Sequence, residues 1–146
     1  MYWDSSALVP LMARETRTDA VLALVKRDPA ASVWWATEVE CASAIRRRAR
    51  DESWGPDAER EARARMAVLV QGWSVVAPSG ELRDRAARLV RVHHLAAADA
   101  LQLAAALSWA EDHPEGREFV TLDRRLSEAA AREGFEVLPE EAQPAG

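Results

Sequence analysis

The chain has 146 residues, is 49% hydrophobic and 29% charged, and carries a formal net charge of −5; these are the values of one globular domain that buries about two-thirds of the surface its unfolded chain exposes. No apolar run approaches the roughly 20 residues of a membrane span, and the acidic balance argues against a uniformly basic surface for nucleic acid. The single Cys41 excludes an internal disulfide and a cysteine-based metal site, and Asp4 and Ser5 interrupt any signal-peptide core, so a cytoplasmic protein is expected.

Tyr2-Trp3 reads as a short apolar strand, ended by the lone acid Asp4 and followed by a helix. Ser5 or Ser6 is a suitable N-cap, and Pro10 is expected within the first turn, where its missing N–H costs no helical bond. Thr16 or Thr18 can cap a second helix with Ala20, Val21, Leu24 and Val25 on one stripe, stopped by Asp28-Pro29. Ser32 to Trp35 reads as a second buried strand. Thr37 opens a helix whose inner stripe is Val39, Ala42, Ile45 and Ala49, and Trp54-Gly55-Pro56 breaks the chain before a charged helix over Asp57 to Gln71.

Ser74 to Ala77 is a third strand, and Ser79 caps a helix with Leu82, Ala86, Leu89 and Val90 inward. His93-His94 marks the turn into an Ala-rich helix over Leu95 to Ala110, which Pro114-Glu115-Gly116 stops. Glu118 to Leu122 is a fourth strand, Asp123 to Arg132 a helix stopped by Gly134, and Phe135 to Leu138 a short fifth strand. Residues 1–138 form one domain and 139–146 a loose polar tail. The alternation of strands with helical crossovers predicts a parallel sheet covered on both faces, with every strand-to-helix junction along one edge.

Four acids fall near those junctions: Asp4, Glu40, Asp99 and Asp123. Converging there, they would form a site rich in hard oxygen donors, suited to Mg²⁺ or Mn²⁺. Each also has a purely structural explanation. Thr37-x-x-Glu40 is a capping box, Asp4 and Asp123 are helix caps, and Asp99 suits a helix N-terminus. Asp99 resists this account best, because Leu95 to Ala98 and Ala100-Leu101 surround it with apolar side chains, where an uncompensated acid is costly.

The ordered set Asp4-x-Ser6-Ala-Leu-Val, Val39-Glu40-Cys-Ala-Ser-Ala-Ile-Arg-Arg, Ala98-Asp99-Ala-Leu-Gln-Leu-Ala and Phe-Val-Thr121-Leu-Asp123-Arg-Arg-Leu resembles a PIN domain. More narrowly, it is similar to the VapC ribonuclease toxins of bacterial toxin–antitoxin pairs, from residue 2 to about residue 138. The resemblance implies a three-layer α/β/α sandwich around a parallel sheet of about five strands. It also implies Mg²⁺-dependent endoribonuclease activity, with Asp4, Glu40, Asp99 and Asp123 as the site acids and Asp4 and Asp99 as the direct metal ligands. Ser6 matches the hydroxyl that supports the first Asp. A VapB-like antitoxin and a homodimer are further implications, and surplus tryptophans (Trp34, Trp35, Trp54, Trp73, Trp109) could serve an interface. Arg47, seven residues after Glu40 and hence on its helical face, is either a phosphate contact or an ordinary surface arginine.

Rival enzyme classes fit less well. A haloacid-dehalogenase phosphatase wants Asp-x-Asp after the first strand, where Ser6 stands, and a receiver domain wants a lysine near its last strand, whereas the only one is Lys26. His93, His94 and His113 assemble no Ser–His–Asp set. The remaining alternative is a non-catalytic PIN-like module that binds protein or RNA and uses the acids only as caps.

Overall fold

The computed structural model describes residues 1–140, so residues 141–146 of the expected tail lie outside the described residues. Five strands, β1 (Tyr2–Trp3), β2 (Ser32–Trp34), β3 (Ser74–Val76), β4 (Glu118–Val120) and β5 (Glu136–Leu138), form one sheet in the order β3-β2-β1-β4-β5, every pairing parallel. Seven helices join them: α1 (Ser5–Met12), α2 (Thr18–Arg27), α3 (Thr37–Asp51), α4 (Pro56–Val70), α5 (Gly80–His93), α6 (Ala97–Trp109) and α7 (Arg124–Glu133). The expected α/β/α architecture with a five-stranded parallel sheet is the one found.

Strand pleating divides the core in two. Tyr2 and Phe119 point to the face covered by α5, α6 and α7, while their neighbours Trp3 and Val120 point to the face covered by α1 through α4. Tyr2 and Trp3 are both fully buried, so the two-residue central strand anchors both halves. The chain winds outward through β2 and β3, then crosses to the other side of β1 for β4. The reversal lies between β1 and β4, and their carboxyl ends form the crevice where open α/β sheets place their ligands.

Several local expectations need correction. Asp4, not Ser5 or Ser6, is the N-cap of α1, which puts Pro10 in the helix interior. The helix ends two residues later, so the proline interrupts little of it, and Thr18 Oγ1 donates to the free Pro10 carbonyl at 3.0 Å. That bond removes Thr18 from capping α2, whose N-cap is Arg17. Ala20 is exposed. In α3 the buried stripe is Thr37, Cys41, Ile45 and Ala49, whereas Val39 is 70% exposed. The packing faces here follow the neighbouring helices and not the apolar residues alone. Val90 of α5 is likewise exposed, as is Trp35, where the chain leaves β2 for a turn. Trp34 is buried, and Trp54, Trp73 and Trp109 pack partly against the core. Among the tryptophans expected at an interface, Trp35 alone is exposed.

Ser79 caps α5 as expected, accepting from Leu82 N at 3.1 Å. α6 begins at Ala97, because His94 takes a left-handed conformation (φ 55°) and Ala96 is extended. Gly134 ends α7 with φ 109°, a backbone angle that disfavours a side chain. Among the described residues no helix is long and apolar enough to cross a membrane.

Candidate metal and active site

A pocket of about 480 Å³ opens at the carboxyl edge of the sheet, lined by Asp4, Glu40, Asp99 and Asp123 together with Ser5, Ser6 and Arg47. Four separate elements bring the acids there. Asp4 sits between β1 and α1, Glu40 in the first turn of α3, Asp99 in the first turn of α6, and Asp123 between β4 and α7.

Asp4 is almost fully buried, at 3% exposure, and its Oδ2 accepts three hydrogen bonds. The donors are Ser6 N at 3.2 Å, Ser6 Oγ at 2.5 Å and Thr121 Oγ1 at 2.9 Å. Ser6 Oγ in turn accepts from Leu122 N at 2.9 Å, and Thr121 Oγ1 from Asp123 N at 3.1 Å. These bonds tie the ends of β1 and β4 together around one carboxylate oxygen. Ser5 Oγ lies 3.3 Å from Asp4 Oδ1 and 2.9 Å from Glu40 Oε2. It has one proton to give, and the shorter bond goes to Glu40, which leaves Asp4 Oδ1 open toward the pocket. Burial raises the Asp4 pKa above its ordinary value, against the lowering effect of its donors.

Glu40 does not close a capping box: Ala36 is the N-cap of α3 and makes no side-chain cap bond. Its Oε2 accepts instead from Ser5 Oγ and, at 3.2 Å, from Gln102 Nε2. Gln102 is fully buried beneath the pocket. Its Oε1 accepts from the Tyr2 hydroxyl at 2.7 Å and its Nε2 also donates to Thr37 Oγ1 at 3.1 Å. The Tyr2 hydroxyl and the carboxylate leave only one sensible orientation for that amide. Sequence reasoning missed Gln102, although a lone amide three residues after Asp99 in an Ala/Leu helix was a signal that could have found it. Burial raises the Glu40 pKa too, with Asp4 and Asp99 adding like-charge repulsion.

Asp123 does cap its helix, accepting from Leu126 N at 2.8 Å through Oδ1, and it lines the pocket as well. Capping therefore does not take it out of the pocket. Asp99 differs from the others: among the described residues no hydrogen bond reaches its carboxylate, and it is half-buried. Its pKa is pushed up to about 6, first by burial and then by the charges of Asp123 and Asp4, with Arg125 pulling the other way. Arg47 is exposed at the pocket wall, with no ion-pair partner among the described residues.

A divalent cation suits this donor set: hard carboxylate oxygens, one open oxygen on Asp4, and a half-buried acid on Asp99 with no donor. Among the described residues, however, no three of these side chains already stand close enough together to hold one ion. The pocket offers ligands around a shared space and not a preformed cage.

A parallel five-stranded α/β/α fold with four acids at the carboxyl edge around the β1/β4 reversal is the arrangement of a PIN domain. The family profile of the PIN domain matches residues 1–132, and the chain belongs to that family. PIN domains are typically metal-dependent nucleases. Among solved structures the chain is similar to PAE2754 from Pyrobaculum aerophilum, with a TM-score of 0.65 and 21% identity over 93% of this chain and 87% of that one. At that identity the likeness is one of fold. No curated protein matches the chain.

Proposed function

We propose that this PIN domain is a Mg²⁺-dependent endoribonuclease of the VapC toxin type, with Mn²⁺ able to stand in for Mg²⁺. The single observation that carries the nuclease reading is the meeting of Asp4, Glu40, Asp99 and Asp123 on one pocket, with Asp99 lacking any donor among the described residues. Asp4 through Oδ1 and Asp99 would hold the cation. When bound, the ion lowers the pKa of a water and offsets charge on the scissile phosphate.

The chain's own residues supply the rest. Ser6 and Thr121 fix Asp4 so that one oxygen stays turned to the donors and the other to the pocket. Ser5 and Gln102 orient Glu40. Arg47, with no carboxylate to hold it among the described residues, can take a phosphate oxygen at the pocket wall. An acidic protein would thereby handle a polyanion: a bound cation would offset much of the pocket's negative charge, and arginines would serve the flanking backbone.

The toxin role, a VapB-like antitoxin and a homodimer rest on the sequence resemblance. Exposed apolar side chains, Trp35, Val39, Val68, Val75 and Val92 among them, are compatible with partner surfaces. Cleavage of RNA by the purified protein should appear with Mg²⁺ and vanish with EDTA. Asp99→Asn should lower the rate by two orders of magnitude or more, about 3 kcal/mol in the barrier, while its circular dichroism stays native. Full activity in a folded Asp99→Asn protein would sink the metal-ligand assignment, and RNA left intact by wild type with Mg²⁺ would favour the binding-module reading.

A further inference from the structure

A second pocket, of about 300 Å³, has the opposite character. It is lined by His93 and His94 at the end of α5 and by Arg125, Glu128, Ala129 and Arg132 of α7. The four α7 residues repeat at helical spacing and so share one face. The acids in and around the pocket are already engaged: Glu128 pairs with Arg124 at 3.2 Å, and Glu133 is bonded to His93 Nε2 at 2.6 Å. Arg125 and Arg132 are the opposite case. Many of the chain's arginines sit in ion pairs, such as Arg46 with Glu59 and Arg85 with Asp112, yet these two have none among the described residues. Two guanidinium groups with no ion-pair partner among the described residues therefore share a concave surface in which Glu128 is the one acid and is paired to Arg124, on a protein whose net charge is −5.

The two pockets meet the same end of α7, since its N-cap Asp123 lines the first and Arg125 lines the second. Arg125 follows Asp123 by two residues, and its positive charge lowers the Asp99 pKa. Arg132 lies seven residues further along the helix, a rise of roughly 10 Å, so the pair marks a line leading away from the acids. We propose that this basic pocket is a second phosphate subsite, which takes a backbone phosphodiester of the RNA strand to one side of the scissile bond through Arg125 and Arg132. The proposal rests on the ribonuclease reading and adds to it the direction in which the strand runs over the surface.

Arg132 provides the decisive test, because it is exposed and remote from the acids. Cleavage of a short single-stranded RNA is followed with Mg²⁺ over a range of salt, for wild type, Arg132→Ala, Arg132→Lys and Arg60→Ala. Arg132→Ala should raise KM roughly three- to tenfold at low salt, leave kcat within about twofold, and reduce the slope of log KM against log salt by about 0.7. Arg132→Lys should recover part of the KM, and Arg60→Ala, an exposed arginine on α4, should move neither quantity. An Arg132→Ala protein with wild-type KM and salt slope overturns the subsite while leaving the ribonuclease intact. A wild type that cleaves no RNA with Mg²⁺ overturns the ribonuclease reading and the subsite with it.

Discussion

Asp4 and Asp99 face the same pocket from opposite supports, and the contrast between them separates two ways of carrying a buried charge. The Asp4 corner is built from strand ends and is crowded with donors, three of them on one oxygen. The Asp99 corner is the start of a helix made of Ala and Leu, and nothing there donates to the carboxylate among the described residues. Burial raises the pKa at both. At Asp4 the hydrogen bonds offset part of that cost and also stitch β1 to β4, so the acid is part of the fold. At Asp99 the cost is left standing, and only a cation or a proton removes it. One acid is tied into the fold by its donors, whereas the other carries an uncompensated cost of burial.

Truncation should break the symmetry most clearly. Asp4→Ala removes the α1 cap and strands three donors, so it should destabilise the protein by about 2–3 kcal/mol. Asp99→Ala strands none and removes a repelled charge, so in EDTA it should melt at or a few degrees above wild type. Mg²⁺ should raise the wild-type melting temperature in a concentration-dependent way and leave Asp99→Ala nearly unmoved. Thermal melts in the two buffers read both effects; equal losses from the two substitutions would erase the distinction drawn here.

A smaller effect follows from pH. The folded Asp99 pKa, about 6, lies above its ordinary value of 3.8. Between those values the folded state holds a proton that the unfolded chain has released, so stability falls as pH rises. This penalty is absent below the ordinary pKa and complete above about pH 6. The raised pKa values of Asp4 and Glu40 act in the same direction. Melts of the metal-free protein across this window should therefore decline with pH, and Asp99→Asn should flatten part of the decline. A wild-type profile that rises with pH would contradict the burial and like-charge repulsion assigned to these acids.

The smallest expected effect belongs to Arg47. Arg47→Ala should weaken RNA binding a few-fold and lower its salt slope by about 0.7, with Mg²⁺ stabilisation unchanged. An unaltered slope would make Arg47 an ordinary surface residue.

Much of the fold is legible in local chemistry. The strand–helix alternation, the Ser79 cap, the Gly134 stop and the apolar Tyr2-Trp3 entry depend on neighbours a few residues away, and such signals survive in a one-dimensional chain. The four acids are legible for the same reason, since each sits at a junction that local patterning locates. Tertiary structure decided the rest. The apolar character of Val39 and Val90 suggested burial, but the packing of α3 and α5 turned both outward. Thr37 and Glu40 have the spacing of a capping box, yet Ser5 and Gln102, 35 and 62 residues away from Glu40, claim its carboxylate. The placement of β4 beside β1 is a pairing of segments more than a hundred residues apart, and it alone brings Thr121 onto Asp4. Burial and charge both act through space without regard to sequence distance, so the raised pKa of Asp99, set first by burial and then by Asp123 and Asp4, exists only once the chain has folded around it.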